Sequence, residues 1–290
     1  LNVRPQKSAN GAKRETLCAV RQQTGAAYFA AGGADSLIAG FVVGGSTSRK
    51  LLLRVVGPGL AGFGVEGVLP AARLELYRSG QLVASANDWD EVQARAAETA
   101  SIASQVGAFA LKPGSRDSSL LVDLLPGAYT MVAASQTTGS GIALVEAYDA
   151  DGSRTSGTER LVNIATRARA GAGDAALIAG FVVSGSVPKQ LLIRGIGPGL
   201  VQFGVDEVLL TTELSVYAGD RMIARNVGWG SASESAAIAA AASKVGAFGL
   251  TSGSADSALL AFFAPGAYTA QVTGVGNAAG NALIEVYEVP

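Results

Sequence analysis

The chain repeats itself at a spacing of 140 residues. Segment 37–60, LIAGFVVGGSTSRKLLLRVVGPGL, matches segment 177–200, LIAGFVVSGSVPKQLLIRGIGPGL, at 16 of 24 positions. After one deletion the offset becomes 139, and VGAF at 106–109 matches VGAF at 245–248. The period is far longer than the roughly 20–50 residues of a solenoid repeat. We therefore predict two tandem domains, and each copy serves as a comparison for the other.

The repeat divides the chain into two modules with short flanking segments. We predict module 1 at 17–149 and module 2 at 160–290, each within the usual size range of a single domain. Residues 150–159 (ADGSRTSGTE) are polar and rich in turn formers, which is typical of a linker. Residues 1–16 form a polar, basic extension without periodicity, and such a tail needs something to hold it in place. We predict that a neighbouring subunit does so.

Short apolar runs separated by Gly, Pro, Ser and Asp predict about eight strands in each module. This pattern favours an antiparallel β-sandwich or jelly roll, so the fold class is mainly all-β. We place the opening strands near Thr16–Gln22 and Arg160–Thr166. One Ala-rich segment in each module predicts a short helix that begins at a capping pattern, Asp88–Glu91 or Ser231–Glu234, and ends at Gly107 or Gly246.

The composition leaves few residues for catalysis. The chain has no histidine, which removes the commonest general base, the Ser–His and Cys–His pairs, and most catalytic zinc sites. The loops Gly57–Gly59 and Gly197–Gly199 lack the Gly-Lys-Ser/Thr of a phosphate-binding loop, and their central proline removes a backbone N–H donor. We predict tight turns at these loops, no cofactor and no enzymatic activity.

One pattern of charged residues is present in both copies. Arg54 and Arg194 interrupt apolar strands at matching positions, and Glu146 and Glu285 lie inside the last strand of each module. A lone buried charge is costly, so charges that recur inside apolar strands should be paired. The sequence therefore predicts two structural ion pairs, Arg54–Glu146 and Arg194–Glu285.

Other polar and aromatic residues allow two interpretations. Asp117 and Asp256 each precede a strand within Gly-Ser-x-Asp-Ser, and turn capping explains them. Asp88 and Asp90 suggest a calcium site, but module 2 has glycine at both matching positions, which favours a surface loop. Trp89 and Trp229 are candidates for stacking on sugars, but both copies keep the residue just before the helix, which favours core packing.

The charge balance limits the kinds of partner. A net charge of −1 gives no overall field toward nucleic acid or an anionic membrane. No apolar run approaches the roughly 18–20 residues of a membrane span. Only 16% of residues are charged, against about 25% in an average protein, and the mean hydropathy is +0.32. We therefore expect apolar surface that is covered by partners.

Two features near the start of the chain bear on its location. The lone Cys18 cannot form an intrachain disulfide; a small buried thiol is the favoured interpretation and an interchain bridge is the alternative. The first residue is Leu1 rather than Met. We interpret this as the product of removing a secretion signal, with a trimmed chain as the alternative.

The string LIAGFVV…LL(L/I)R…GPGL…FGV…VGAF…PGAYT resembles a module found near the C-termini of large secreted bacterial surface proteins. In those proteins it often accompanies immunoglobulin-like or other β-repeat domains. The second half also resembles the pre-peptidase C-terminal type of β-sandwich. The resemblance covers residues 37–150 and 160–290. It implies β-sandwich modules and a secreted, cell-surface location, and it carries over no catalytic or binding residue.

Together these features favour a secreted, non-catalytic structural protein that assembles with itself into an extracellular filament or surface layer. We predict that Leu1–Gln23 reaches a neighbouring subunit and adds main-chain hydrogen bonds to a sheet edge. The candidates for subunit contact are Leu1, Val3, Leu17, Cys18 and Val20. The alternative is an adhesion module that binds cell-surface glycans through Trp or Tyr side chains.

Overall fold

The computed structural model describes residues 24–31, 37–138, 141–151, 161–171, 176–183, 186–230 and 232–290. The described chain consists mainly of antiparallel β-strands with one short α-helix in each copy, which confirms the predicted all-β class. Contacts within the chain group the residues into two units, Leu1–Leu161 and Val162–Pro290. We call these units module 1 and module 2.

Module 1 is a sandwich of two four-stranded sheets in its described residues. One sheet has the order β1-β8-β3-β6 and the other the order β2-β7-β4-β5, and every neighbouring pair is antiparallel. The elements are β1 (Thr24–Ala31), β2 (Leu37–Val43), β3 (Arg49–Val56), β4 (Ala72–Arg78), β5 (Gln81–Ala86), α1 (Gln93–Val106), β6 (Ser118–Leu124), β7 (Gly127–Ser135) and β8 (Gly141–Asp149).

Module 2 repeats this topology strand for strand over its described residues. The corresponding sheets have the orders β9-β16-β11-β14 and β10-β15-β12-β13. The elements are β9 (Leu161–Ala170), β10 (Leu177–Val183), β11 (Lys189–Ile196), β12 (Thr212–Ala218), β13 (Arg221–Val227), α2 (Ala232–Lys244), β14 (Ser257–Phe263), β15 (Gly266–Gly274) and β16 (Gly280–Glu288).

The first core of each module lies between its two sheets. Along β2, buried and half-buried residues alternate, as expected for a strand with one face toward the core. Phe41 of β2 stacks on Tyr129 of β7 with ring centroids 5.6 Å apart, and the twin rings of Phe181 and Tyr268 in module 2 are also 5.6 Å apart. The same aromatic pair thus anchors both sandwiches.

A second apolar layer covers the outer face of one sheet in each module. Strand β3 is buried on both faces, because the helix side of the module packs over it. Leu52 and Tyr148 lie on this outer face and pack against Ala103 and Val106 of α1. We call the space between this sheet and its helical cover the outer core. Arg54 lies between Leu52 and Val56 on the same face and is fully buried.

The helix ends differ in part from the prediction. The capping pattern at Asp88–Glu91 was a wrong prediction, because α1 begins at Gln93 after Val92 and has no side-chain cap. The Asp88 carboxylate is engaged elsewhere, since it accepts a hydrogen bond from Gln136 Nε2 at 3.0 Å. Gly107 ends the helix as predicted, with a left-handed φ of 76°.

Two predicted segments fall partly or wholly outside the described residues. The opening strand expected near Thr16–Gln22 and the cap at Ser231 both do so. In module 2 the strand expected near Arg160–Thr166 is β9, which extends to Ala170. None of the described helices has the length and apolar character needed to cross a membrane.

Candidate functional site

The predicted charges meet in the outer core of each module. Arg54 of β3 and Glu146 of β8 are direct cross-strand neighbours, and Arg54 Nε lies 2.9 Å from Glu146 Oε2 with both side chains fully buried. Arg194 of β11 and Glu285 of β16 hold the same register in module 2. The strand pairing itself therefore places each arginine opposite its glutamate.

Neighbouring groups also contact the ion pair in module 1. Arg54 Nη1 donates a hydrogen bond to the Phe109 carbonyl at 2.8 Å, and the guanidinium carbon lies 4.5 Å from the centre of the Phe109 ring. The Tyr148 hydroxyl donates to Glu146 Oε1 at 2.5 Å. A charge-assisted bond and a cation–π contact both favour the ionised forms in this low-dielectric setting.

Module 2 forms a more complete version of the same cluster. Arg194 Nε and Nη2 both donate to Glu285 Oε2, at 2.8 and 2.5 Å, and Nη1 donates to the Phe248 carbonyl at 2.5 Å. The Tyr287 hydroxyl donates to Glu285 Oε1 at 2.8 Å. Each nitrogen of the Arg194 guanidinium thus donates a hydrogen bond, and we call this pair closed.

The ion pair in module 1 leaves several polar atoms without hydrogen bonds, and we call such a pair open. Arg54 Nε and Nη2 and Glu146 Oε2 have no hydrogen-bond partner among the described residues. The 2.9 Å approach of Nε to Oε2 is therefore an ion pair whose N–H is not aligned for a directed hydrogen bond. Buried donors and acceptors without partners are rare in native proteins, so this cluster requires an explanation.

The electrostatics of the two clusters follow from their burial. Burial raises the pKa of Glu146, while the Arg54 charge and the Tyr148 hydrogen bond act against that rise. In module 2, burial raises the pKa of Tyr287, and the neighbouring Glu285 carboxylate adds to the effect. Desolvation is the largest cause in both cases, as expected for ionisable groups in an apolar layer.

A cavity of about 200 Å³ lies beside the open pair in module 1. Its walls are formed by buried and exposed residues of α1, by Trp89 and by the segment after the helix, and Arg54 is one of its lining residues. Thr99 and Ser104 contribute hydroxyl groups, while Ala103 and Leu111 contribute apolar surface. The arrangement combines a mainly apolar wall with a few polar groups, which is typical of small-molecule sites.

The glycine-proline-glycine loops hold a carboxylate of the chain itself. Asp117 Oδ1 accepts hydrogen bonds from the backbone N–H groups of Gly57 and Gly59 at 2.9 and 3.1 Å, and Ser115 donates to Oδ2 at 2.6 Å. Module 2 has the same bonds around Asp256. The loop opens a 3₁₀ helix, Pro58–Phe63, rather than an isolated tight turn, and the aspartate caps this distant loop as well as its own turn.

The remaining predicted residues have structural contacts. Trp89 and Trp229 are 9% and 7% exposed, and their indole N–H groups donate to the carbonyls of Lys112 and Thr251. They pack into the outer cores and are not exposed stacking surfaces. Asp90 accepts a hydrogen bond from the Gly114 backbone. The described residues contain no group of three His, Cys, Asp or Glu side chains that could hold a metal ion.

The surfaces of the two modules differ in their exposed apolar side chains. Among the described residues, nine large hydrophobic side chains are exposed in module 2 and four in module 1. At six of the nine positions the module 1 twin is polar, small or proline. The exchanges are Thr47 to Val187, Ala61 to Val201, Pro70 to Leu210, Asn87 to Val227, Asp123 to Phe262 and Gln136 to Val275.

Three of these side chains lie at one end of a module 2 sheet, and we call Leu210, Val227 and Val275 the end patch. Strand pairing aligns Thr212 with Gly274 and Glu213 with Val227, so the start of β12 and the ends of β13 and β15 are neighbours. The Val275 backbone also donates to the Thr211 carbonyl at 3.2 Å. Sequence reasoning missed this patch, although the comparison of twin positions contained the signal.

The same end of module 1 carries a polar network. Gln136 contacts Arg116 and Asp88 through hydrogen bonds and also donates to the Ala72 carbonyl at 2.6 Å. In module 2 these three side chains become Val275, Ala255 and Gly228, so the network is lost. The subunit-contact candidates Leu1, Val3, Leu17, Cys18 and Val20 lie outside the described residues.

No protein-family model matches the chain, and no curated protein matches it.

Proposed function

We propose that the chain is a non-catalytic structural subunit that assembles with copies of itself, head to tail, into an extracellular filament or surface layer. The end patch carries this proposal. The two modules share one fold, but the surface at this end of the sheet is apolar in module 2 and polar at the twin positions of module 1. A contact that uses different surfaces on the two partners produces a filament when its rotation does not close a ring.

The exposure of the end patch is the physical reason to expect a partner there. Leu210, Val227 and Val275 are 73%, 43% and 42% exposed. Clustered apolar side chains at a protein surface usually mark an interaction site, because burying them removes apolar area from water. We propose that the occupant is a second copy of the chain, and that its segment Leu1–Gln23, which includes the apolar residues Leu17 and Val20, provides the complementary surface.

The first experiment exchanges residues of the end patch for their module 1 twins. The double variant Val227→Asn/Val275→Gln should remain folded by circular dichroism and lose polymers in negative-stain images and sedimentation. Val187→Thr, also an exchange of an exposed valine for its module 1 twin but in the loop between β10 and β11, is the matched control and should assemble normally. Polymers that form equally well in the double variant contradict a role for the patch.

The second experiment removes the proposed complementary surface. Deletion of residues 1–23, which include Leu17 and Val20, should abolish polymers and leave folded monomers. The deletion chain mixed with an excess of the full chain should cap growing ends and shorten the polymers. A wild-type chain that stays monomeric at all concentrations would overturn the proposed function as a whole.

A further inference from the structure

We propose that the cavity beneath α1 of module 1 is a binding site for a small neutral molecule that carries a carbonyl or hydroxyl oxygen on an apolar body. The cavity of about 200 Å³ is lined by Arg54, Trp89, Thr99, Ser104 and Leu111, among others. Arg54 is fully buried, and its Nη2 and Nε have no hydrogen-bond partner among the described residues. This inference is independent of self-assembly.

The twin position in module 2 carries a larger apolar side chain. Thr99 corresponds to Ile238, which is buried and packs with Trp229 and Ala242 in the outer core. There the larger apolar side chain occurs together with a closed pair, in which Arg194 Nε and Nη2 both donate to Glu285. Module 1 has the smaller, hydroxyl-bearing threonine together with an open pair. Two changes that coincide at one place indicate a site rather than a packing defect.

The polar groups of the cavity define the chemistry of the ligand. Arg54 offers N–H donors and no acceptor, and Thr99 and Ser104 offer hydroxyls that donate or accept. An oxygen acceptor on the ligand would therefore find a partner in this cavity. The apolar body would contact the Trp89 indole, Ala103 and Leu111, which form the rest of the wall.

Charge and size narrow the ligand class further. Arg54 is already neutralised by Glu146 at 2.9 Å. A ligand carboxylate or phosphate would thus add a buried charge without a counter-charge, and that is strongly unfavourable. The volume is below the roughly 300–1,000 Å³ of sites for drug-sized molecules. The ligand is therefore neutral and has the size of a single substituted ring.

Cyclohexanone is a suitable probe because it has one ketone acceptor on an apolar ring, and ketones quench tryptophan fluorescence on contact. The chain has two tryptophans. In a Trp229→Phe chain, the fluorescence reports on Trp89 in the cavity wall, and cyclohexanone should quench it saturably. In a Trp89→Phe chain, the fluorescence reports on Trp229 beneath α2, and quenching should rise linearly with concentration, as in simple collision.

The decisive variant narrows the cavity with the residue that module 2 has at this position. Thr99→Ile should weaken the saturable quenching by more than about tenfold, since one methylene-sized change in an apolar pocket has effects of this order. Ser101→Val, an equivalent change on the exposed face of α1, should leave it intact. If a tryptophan variant does not fold, the comparison of Thr99→Ile with the wild-type chain gives the same answer from total fluorescence.

Competition tests the chemical class. Cyclohexanol should reverse the quenching because it is neutral and has an oxygen acceptor, whereas cyclohexanecarboxylate should not. Quenching that is linear in every chain, or that survives Thr99→Ile, shows that the cavity takes up no such molecule and overturns the proposal. Reversal by the carboxylate in place of the alcohol overturns the assignment to neutral ligands.

Discussion

The two modules share a topology and a strand register but differ in how they complete the buried ion pair. In module 2, Arg194 Nε and Nη2 both donate to Glu285, and Ile238 is buried beneath the helix against Trp229. In module 1, the Arg54 pair is open and Thr99 lines a cavity. The features that both copies keep are those that the fold needs. The features that differ are the ones to which a function specific to one module can be assigned.

The largest expected effect comes from breaking the closed pair. Glu285→Ala leaves Arg194 buried without its counter-charge, and we expect a loss of about 3–5 kcal/mol in the free energy of unfolding of module 2. Glu146→Ala should lower the unfolding free energy of module 1 by less, because Arg54 and Glu146 share no directed hydrogen bond. Urea unfolding followed by Trp229 fluorescence in a Trp89→Phe chain measures module 2, and the converse chain measures module 1.

This experiment also has a clear contrary outcome. Equal losses in the two modules would mean that the open geometry of Arg54 has no energetic consequence. Glu213→Ala is the control, because Glu213 forms an ion pair with Arg225 at the surface of module 2. Exposed pairs contribute little to stability, so this change should leave the transition of module 2 close to that of wild type.

A smaller effect, equal in both modules, is expected from the loop aspartates. Asp117→Ala leaves the Gly57 and Gly59 N–H groups without their acceptor. We expect a loss of about 2–3 kcal/mol in the free energy of unfolding, since buried unpaired donors are costly. Asp256→Ala should cost module 2 the same amount, because its bonds to Gly197 and Gly199 have the same lengths. Unequal losses would show that the loops are not equivalent.

The strands and the positions of the charges could be predicted from the sequence. Short apolar runs and turn residues predict about eight strands in each module, and the described residues contain eight in each. The predicted partners Arg54 and Glu146 lie opposite each other because both occupy strand interiors, where an unpaired charge is excluded. The local sequence pattern is sufficient to predict the strands, and the free-energy cost of burying an unpaired charge is sufficient to predict the ion pairs.

Details that depend on tertiary contacts could not be predicted. The Asp88–Glu91 pattern has the sequence of a helix cap. The Asp88 side chain instead accepts a hydrogen bond from Gln136, which is distant in sequence. The difference between an open and a closed arginine pair depends on the orientation of one guanidinium, which no sequence pattern encodes. Thr99 lines the cavity at the position where module 2 has the buried Ile238, and this consequence becomes visible only when the helix is packed on the sheet.

The third expected effect concerns pH. It is smaller than the effect of replacing either glutamate by alanine, because Arg54 and Glu146 both stay in place. Burial raises the folded-state pKa of Glu146 above its usual value of about 4.3. The folded state then binds more protons than the unfolded state between these two pKa values. The stability of module 1 should therefore be highest below the usual pKa and fall as the pH rises through the raised one.

The pH effect can be isolated by comparing two chains. Glu146→Gln removes the titrating group, so the difference in unfolding free energy between this variant and wild type should change with pH in the stated window. Other carboxylates, including Asp149, whose pKa is also raised by burial, titrate in both chains and cancel in the difference. A constant difference across the window would contradict a raised pKa at Glu146.

The smallest expected effect comes from exchanging the two residues beneath the helices. Thr99→Ile adds apolar contact inside the cavity and should raise the unfolding free energy of module 1 by about 1 kcal/mol, a typical gain for partial cavity filling. Ile238→Thr should lower that of module 2 by about 1–2 kcal/mol through lost apolar contact. Because Arg194 is already closed onto Glu285, the new space in module 2 should not create saturable cyclohexanone quenching. Such quenching at Trp229 would show that the space beneath the helix, rather than the open arginine, determines binding.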